Sequence, residues 1–231
     1  MGLLQIRLSE KQQEAREIES FQYVSTFLIH NLKNLSSSLS LTLQNLPLHF
    51  DNPEFRIDAL RVFSQSVSRI GDMCSRLSIL RREIEPKLEK SDLDEIVEKI
   101  FTEFSSSLNG ALQKSLQPLP PVLMDPEQVQ KVLTNLILNA AQAIKNGGHI
   151  RISTEKLASY GILSVSDDGC GMSQDFIAKS LFRPFRTTKS KGMGIGLFQC
   201  KMIVDAHKGR IEVESREGEG STFRVFLPLA P

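Results

Sequence analysis

The 231-residue chain is predicted to have an α+β fold, a long antiparallel helical hairpin followed by a two-layer α/β sandwich. Two changes of rhythm carry the prediction. From Phe21 to Leu46, and again from Phe55 to Leu80, apolar residues recur every third or fourth position, the signature of one helical face. Beyond residue 150 the apolar period becomes two, as in half-buried strands, with helical segments interposed. The expected domains are residues 1–88, the hairpin, and residues 89–231, the sandwich.

In the first domain, Phe21, Val24, Leu28, Leu32, Leu35, Leu39, Leu43 and Leu46 make one stripe, and Pro47 is expected to end the helix. Asn52 then serves as N-cap, with Pro53 at the first helical position. The second stripe runs through Leu60, Phe63, Val67, Ile70, Met73 and Leu77 toward Pro86. One hairpin has too little surface to bury two such stripes. A second copy completing a dimeric four-helix bundle is one remedy, and packing on the chain's own second domain is the other. His30 lies roughly 200° around the helix from Leu28, off the stripe. Taken alone it reads as an exposed surface histidine, with Asn34 one turn along on its face.

A polar connector at 86–90 leads to a helix expected to be capped by Ser91, with Asp94 completing a capping-box-like pair. Val122–Met124 is a short strand candidate. Asp125, Pro126 and Gln128 open the next helix, which runs to Lys145 with Val129, Val132, Leu133, Leu136, Ile137 and Ala140 on its buried side. Asn135, Asn139 and Gln142 form a separate polar stripe, unusual because amides compete with the backbone for hydrogen bonds inside helices. Strands follow at Ile150–Ile152 and Leu163–Val165, and a hairpin turns at Gly218–Gly220. Helices Ser173–Ser180 and Gly196–Ala206 lie between them.

Composition narrows the function classes. A net charge of +1 gives no reason to expect nucleic acid or an anionic membrane as partner. Cys74, Cys170 and Cys200 are scattered, without a CxxC pair, which fits a reducing compartment and argues against a zinc site. No uncharged run is long enough to span a bilayer, and no signal peptide opens the chain. The amino terminus starts inside a helical pattern without a cap. The expectation is a cytoplasmic portion of a longer protein, with a sensor region upstream and no membrane contact of its own.

Two glycine clusters mark the second domain: Asp167-Asp168-Gly169-Cys170-Gly171 after a strand, and Gly192-Met193-Gly194-Ile195-Gly196-Leu197 opening a helix. Glycines let backbone approach a ligand, and helix N-termini favour phosphate. Neither cluster is a Rossmann fingerprint or a Walker loop.

With these clusters in place the chain resembles the sensor histidine kinases of two-component systems, whose ATP domain has the Bergerat (GHKL) ATPase fold. LTNLILNAAQAI (133–144) resembles the N box, SDDGCGM (166–172) the G1 box, LFRPFRTTK (181–189) the F box and GMGIGL (192–197) the G2 box. FLIHNLKN (27–34) stands where such kinases carry the H box. The run from Thr187 to Ile211 is most similar to nitrogen-regulation and exopolysaccharide-type kinases.

The resemblance implies a homodimer that uses ATP and Mg²⁺ to phosphorylate His30, then passes the group to an aspartate of a response-regulator receiver domain. It implies Asn139 as the Mg²⁺ ligand, supported by Asn135, and Asp167 as acceptor for the adenine amine, with Gly169 and Gly171 turning beneath the base. Thr188, Lys189, Gly192, Gly194, Gly196 and Leu197 fall in the phosphate-binding boxes. Phe182 and Phe185 fit either a closing segment or the core. In the family an acidic residue usually follows the phosphorylated histidine. Here it is Asn31, which cannot take a proton. The alternative expectation is therefore an ATP-binding regulatory module with weakened kinase activity, in which Asn34 supports dephosphorylation of the partner. His49, His149 and His207 match no box and are expected to be structural or exposed.

Overall fold

The computed structural model describes residues 29, 31–81, 84–108, 110–145, 147–189 and 194–231, with the side chains of 72 and 74–81 also left out. The stripe positions before residue 29, His30, Asn146 and Gly192 lie outside the described residues. The chain divides into two compact units between residues 82 and 83.

The first unit holds α1 (31–49) and α2 (Pro53–Arg81). Asn52 caps α2 as expected, its Oδ1 accepting from the amides of Glu54 at 2.9 Å and Phe55 at 3.3 Å. Pro47, however, does not stop α1, which continues to residue 49. In the last turn a proline deprives only the carbonyl of Leu43 of its helical donor, and Leu43 is exposed, so the loss costs the helix little. Leu35, Ala59, Ser66 and Met73 are buried within the unit, whereas Leu32, Leu43, Leu60 and Val67 are exposed. A broad apolar surface thus remains uncovered on these helices. Among the described residues no helix is long and apolar enough to cross a membrane.

The second unit is a mixed sheet backed by helices. Its strands are β1 (Glu89–Ser91), β2 (Leu112–Leu116), β3 (Val122–Met124), β4 (Ile150–Leu157), β5 (Tyr160–Asp167), β6 (Arg210–Arg216) and β7 (Gly220–Pro228). Its helices are α3 (Leu93–Ser105), α4 (Pro126–Ala143), α5 (Gln174–Lys179) and α6 (Gly196–Ala206). The main sheet has the order β2-β4-β5-β7-β6, with β2 parallel to β4 and the other pairs antiparallel. β1 and β3 form a separate antiparallel pair. Alternate residues of the sheet, among them Ile150, Ile152, Leu163, Val165, Phe223 and Val225, share one core with Leu93, Val97 and Ile100 of α3, Leu133 and Ile137 of α4, and Ile203 and Val204 of α6. That is the two-layer sandwich.

Two expectations fail here. Ser91 belongs to β1, and the cap of α3 is Asp92, whose side chain accepts from the Asp94 amide at 2.8 Å. Pairing with Val122 holds Ser91 extended, so the helix can begin only after it. Asp94 is then released from capping and accepts from the Thr154 hydroxyl at 2.8 Å. α4 also ends at Ala143 rather than Lys145, with Ile144 extended as its C-cap.

Candidate functional site

The site is built on α4. Asp125 starts the helix, its Oδ1 accepting from the Gln128 amide at 3.1 Å while Oδ2 accepts from the Lys87 amide at 3.0 Å. The Asp125 amide in turn donates to His207 Nε2 at 3.0 Å, and His207 Nδ1 lies 2.7 Å from the Ile203 carbonyl. His207 is therefore a buried neutral imidazole, protonated at Nδ1, that joins the start of α4 to the end of α6. With its amino end fixed in this way, α4 buries Val132, Leu133, Leu136 and Ile137 and turns its amides outward.

At the other end of α4, the G1 segment leaves β5. The Cys170 amide donates to the Ala143 carbonyl at 3.1 Å, which ties the turn to the last residue of the helix. Asp167 Oδ1 accepts from the Gly169 amide at 2.9 Å. Burial pushes the Asp167 carboxyl above the ordinary carboxylate range, partly offset by the Gly169 and Ser221 amides. Its neighbour Asp168 is exposed and behaves oppositely. The His149 amide at 2.8 Å, and the ring Nδ1 at 3.2 Å, hold it below the usual range. Gly171 has φ +62°, and a Cβ there would stand 1.8 Å from the Arg216 carbonyl oxygen. Its missing side chain makes room for the β6–β7 turn, so this glycine serves the fold of the loop directly.

The F-box segment comes in from the side. Phe182 packs against the core. Phe185 has φ +63° and donates its amide to the Gly194 carbonyl at 2.9 Å. Gly194 itself has φ +66° with no room for a Cβ beside Arg186. This clasp pins Phe185 against Gly194. Lys189, half-buried, reaches α4, where its Nζ lies 2.9 Å from Asn139 Oδ1 and 2.7 Å from Gln142 Oε1. Burial lowers its pKa, opposed by charge interactions with Cys170 and Asp167.

Asn139, Asp167, Gly169 and Lys189 are thus brought together around the carboxyl-terminal half of α4. Thr188 is exposed next to Lys189. Asn135 faces elsewhere: its Oδ1 lies 2.7 Å from where a Cβ of Gly196 would stand, at the amino end of α6, and it lines a cleft of about 550 Å³ with Lys99, Gln130 and Leu138. The Leu197 side chain packs on the core. Asn31, half-buried, and Asn34, exposed, lie on α1 in the other unit. Gln142 was visible in sequence only as the last member of an amide stripe, and its engagement with Lys189 had no signal of its own.

The donor set fits the groups expected here. Asn139 presents a hard carboxamide oxygen to a cation, already shown by the ammonium it holds, and such oxygens suit Mg²⁺. Asp167 offers acceptor-only carboxylate oxygens at the end of the central strand β5, the complement of an exocyclic amine.

Comparison with known proteins finds similar chains. Residues 124–231 match the family described as histidine kinase-, DNA gyrase B-, and HSP90-like ATPase. Sporulation kinase C of Bacillus subtilis (strain 168) is 30% identical over 221 residues, covering 94% of this chain and 51% of that protein. The signal transduction histidine-protein kinase AtoS of Escherichia coli (strain K12) is 28% identical over 230 residues, covering 94% of this chain and 36% of that protein. The nucleotide-free catalytic domain of histidine kinase ThkA superposes with a TM-score of 0.57 at 28% identity, over 63% of this chain and 99% of that one. ThkA in complex with response regulator protein TrrA is alike in fold, with a TM-score of 0.70 at 22% identity over 90% of this chain and 61% of that one.

Proposed function

We propose that this chain, which carries a histidine kinase-, DNA gyrase B-, and HSP90-like ATPase domain at residues 124–231 and is related along most of its length to sensor kinases, is the catalytic core of a two-component sensor histidine kinase. It spans about half or less of those relatives' lengths. The observation that carries the proposal is the convergence of Asn139, Lys189 and Asp167 at one end of α4.

Asp167 accepts the adenine amine and selects ATP over GTP. Asn139 ligates Mg²⁺, and Lys189 with Thr188 and the amides near Gly194 and Gly196 orients the triphosphate. Bound Mg²⁺ neutralises charge on the phosphates in the transition state. An imidazole nitrogen of His30 takes the γ-phosphoryl group as ADP leaves, and the phosphoramidate passes it to a regulator aspartate. Position 135 is an amide, which cannot act as a general base toward water, and this favours transfer over hydrolysis. The exposed Leu32, Leu43, Leu60 and Val67 favour a homodimer through the helical unit.

Asn31 favours a second reading at the same site. An amide beside His30 cannot accept its proton, so autophosphorylation is slowed while dephosphorylation of the regulator, supported by Asn34, persists. The primary test is acid-labile, base-stable label on the chain after incubation with γ-labelled ATP and Mg²⁺. Label that survives His30→Ala, or that sits on serine, refutes the kinase reading. Equal labelling rates for wild type, Asn31→Asp and Asn31→Glu refute the second.

A further inference from the structure

We infer that Lys189 is the site's built-in counter-cation, holding the cation position at Asn139 until a metal–nucleotide complex displaces it, and that Gln142 is the positioning residue that sets how firmly it is held. The inference rests on the reading of Asn139 as a metal ligand.

Lys189 donates to two α4 oxygens, Asn139 Oδ1 at 2.9 Å and Gln142 Oε1 at 2.7 Å. Residues three apart on a helix share a face, so the two carboxamides form one oxygen-rich seat. Both acceptors are neutral, so the ammonium is held by hydrogen bonds within reach of the Asp167 charge rather than by a contact ion pair. A divalent cation seeks the same hard oxygen of Asn139. Two cations a few ångströms apart repel strongly in a partly buried setting. Metal arrival at Asn139 therefore expels Lys189, and the expelled ammonium is left facing the phosphates that came with the metal. Gln142 contributes only to the resting state. Its oxygen anchors Lys189 and makes no contact that the bound state requires.

Removing that anchor must make the metal easier to accept. A partly exposed charged hydrogen bond contributes up to about 1 kcal/mol, or roughly a fivefold change in an equilibrium constant. The experiment uses the full chain and a non-hydrolysable ATP analogue, and it reads the Mg²⁺ concentration giving half-maximal tightening of analogue binding by calorimetry. Gln142→Leu and Gln142→Ala are each expected to lower that concentration about three- to fivefold, with thermal midpoints lowered by no more than about 4 °C. In an Asn139→Ala background neither should shift it.

An unchanged or raised Mg²⁺ requirement in both folded Gln142 variants overturns the inference. So does a decrease of the same size when Asn139 is absent. Failure of wild type to bind the analogue at all would instead remove the nucleotide-site reading, and this inference with it. Normal metal-dependent binding without a Gln142 effect removes only the counter-cation role.

Discussion

Gly171→Ala offers the sharpest check on how the G1 turn is held. At φ +62° an alanine carries about 1–2 kcal/mol of backbone strain. Its Cβ would stand 1.8 Å from the Arg216 oxygen and 2.6 Å from the Arg216 carbonyl carbon, so the β6–β7 turn must move. That movement breaks the bond from the Gly218 amide to the Cys170 carbonyl, now 2.8 Å, at about 1 kcal/mol. Against this, alanine narrows the unfolded ensemble and returns about 0.4–1 kcal/mol. The net loss is about 1–2.5 kcal/mol, which for a unit of about 150 residues lowers the thermal midpoint by roughly 2–10 °C. Gly218→Ala is the control. It has φ +82° but nothing within 4 Å of a Cβ, so it meets the strain without the collision and loses about 0–1.5 kcal/mol. Scanning calorimetry of the two variants beside wild type decides the matter. Equal losses would show that the close approach of Arg216 does not constrain the turn.

Three further outcomes are expected. Asp167 has its carboxyl pKa raised by burial, so its charged form is disfavoured by folding. Its contribution to stability is fullest below the unfolded pKa and declines as pH rises through the folded one. On the proposed function, nucleotide affinity runs the other way, because the carboxylate would accept from the adenine amine. It should fall with decreasing pH through a midpoint above 3.8, with Asp167→Asn weak and flat across the same range. A midpoint at or below 3.8 in fluorescence titrations contradicts the assignment. His207→Ala strands the Asp125 amide and opens a cavity in the core, at a combined cost of about 3 kcal/mol. Urea melts showing less than about 1 kcal/mol would refute the imidazole's linking role. Burial pushes the Cys200 thiol up to about 12, while Cys170 is exposed. Iodoacetamide should therefore alkylate Cys170 in the native protein and spare Cys200 until unfolding, as read by peptide mass spectrometry.

What could be read ahead of the structure followed the strength of local signals. α4 announced itself through Asp125-Pro126 and a sustained apolar period, and the β6–β7 hairpin through alternation on both sides of Gly218–Gly220. β2 was invisible because the edge strand LQKSL buries little beyond Leu112, and its parallel pairing with β4 depends on a partner some forty residues away. The same long-range pairing misled the cap of α3, since only the contact of Ser91 with Val122 shows that Ser91 is strand. At the site, the resemblance of the boxes pointed to Asn139 and Asp167, which the structure brings near Lys189. That Asn135 turns toward Gly196, that Lys189 crosses to α4, and that His207 serves Asp125 are matters of tertiary geometry, with no periodicity to betray them.

The Phe185–Gly194 clasp has a consequence for how such domains can diverge. Its two residues both lie in the left-handed region, Phe185 at φ +63° and Gly194 at φ +66°, where a β-branched side chain is strongly disfavoured. Lys189 lies four positions beyond Phe185, so the clasp also sets where its reach to Asn139 begins. Change at these two stems is therefore restricted by backbone conformation rather than by side-chain chemistry.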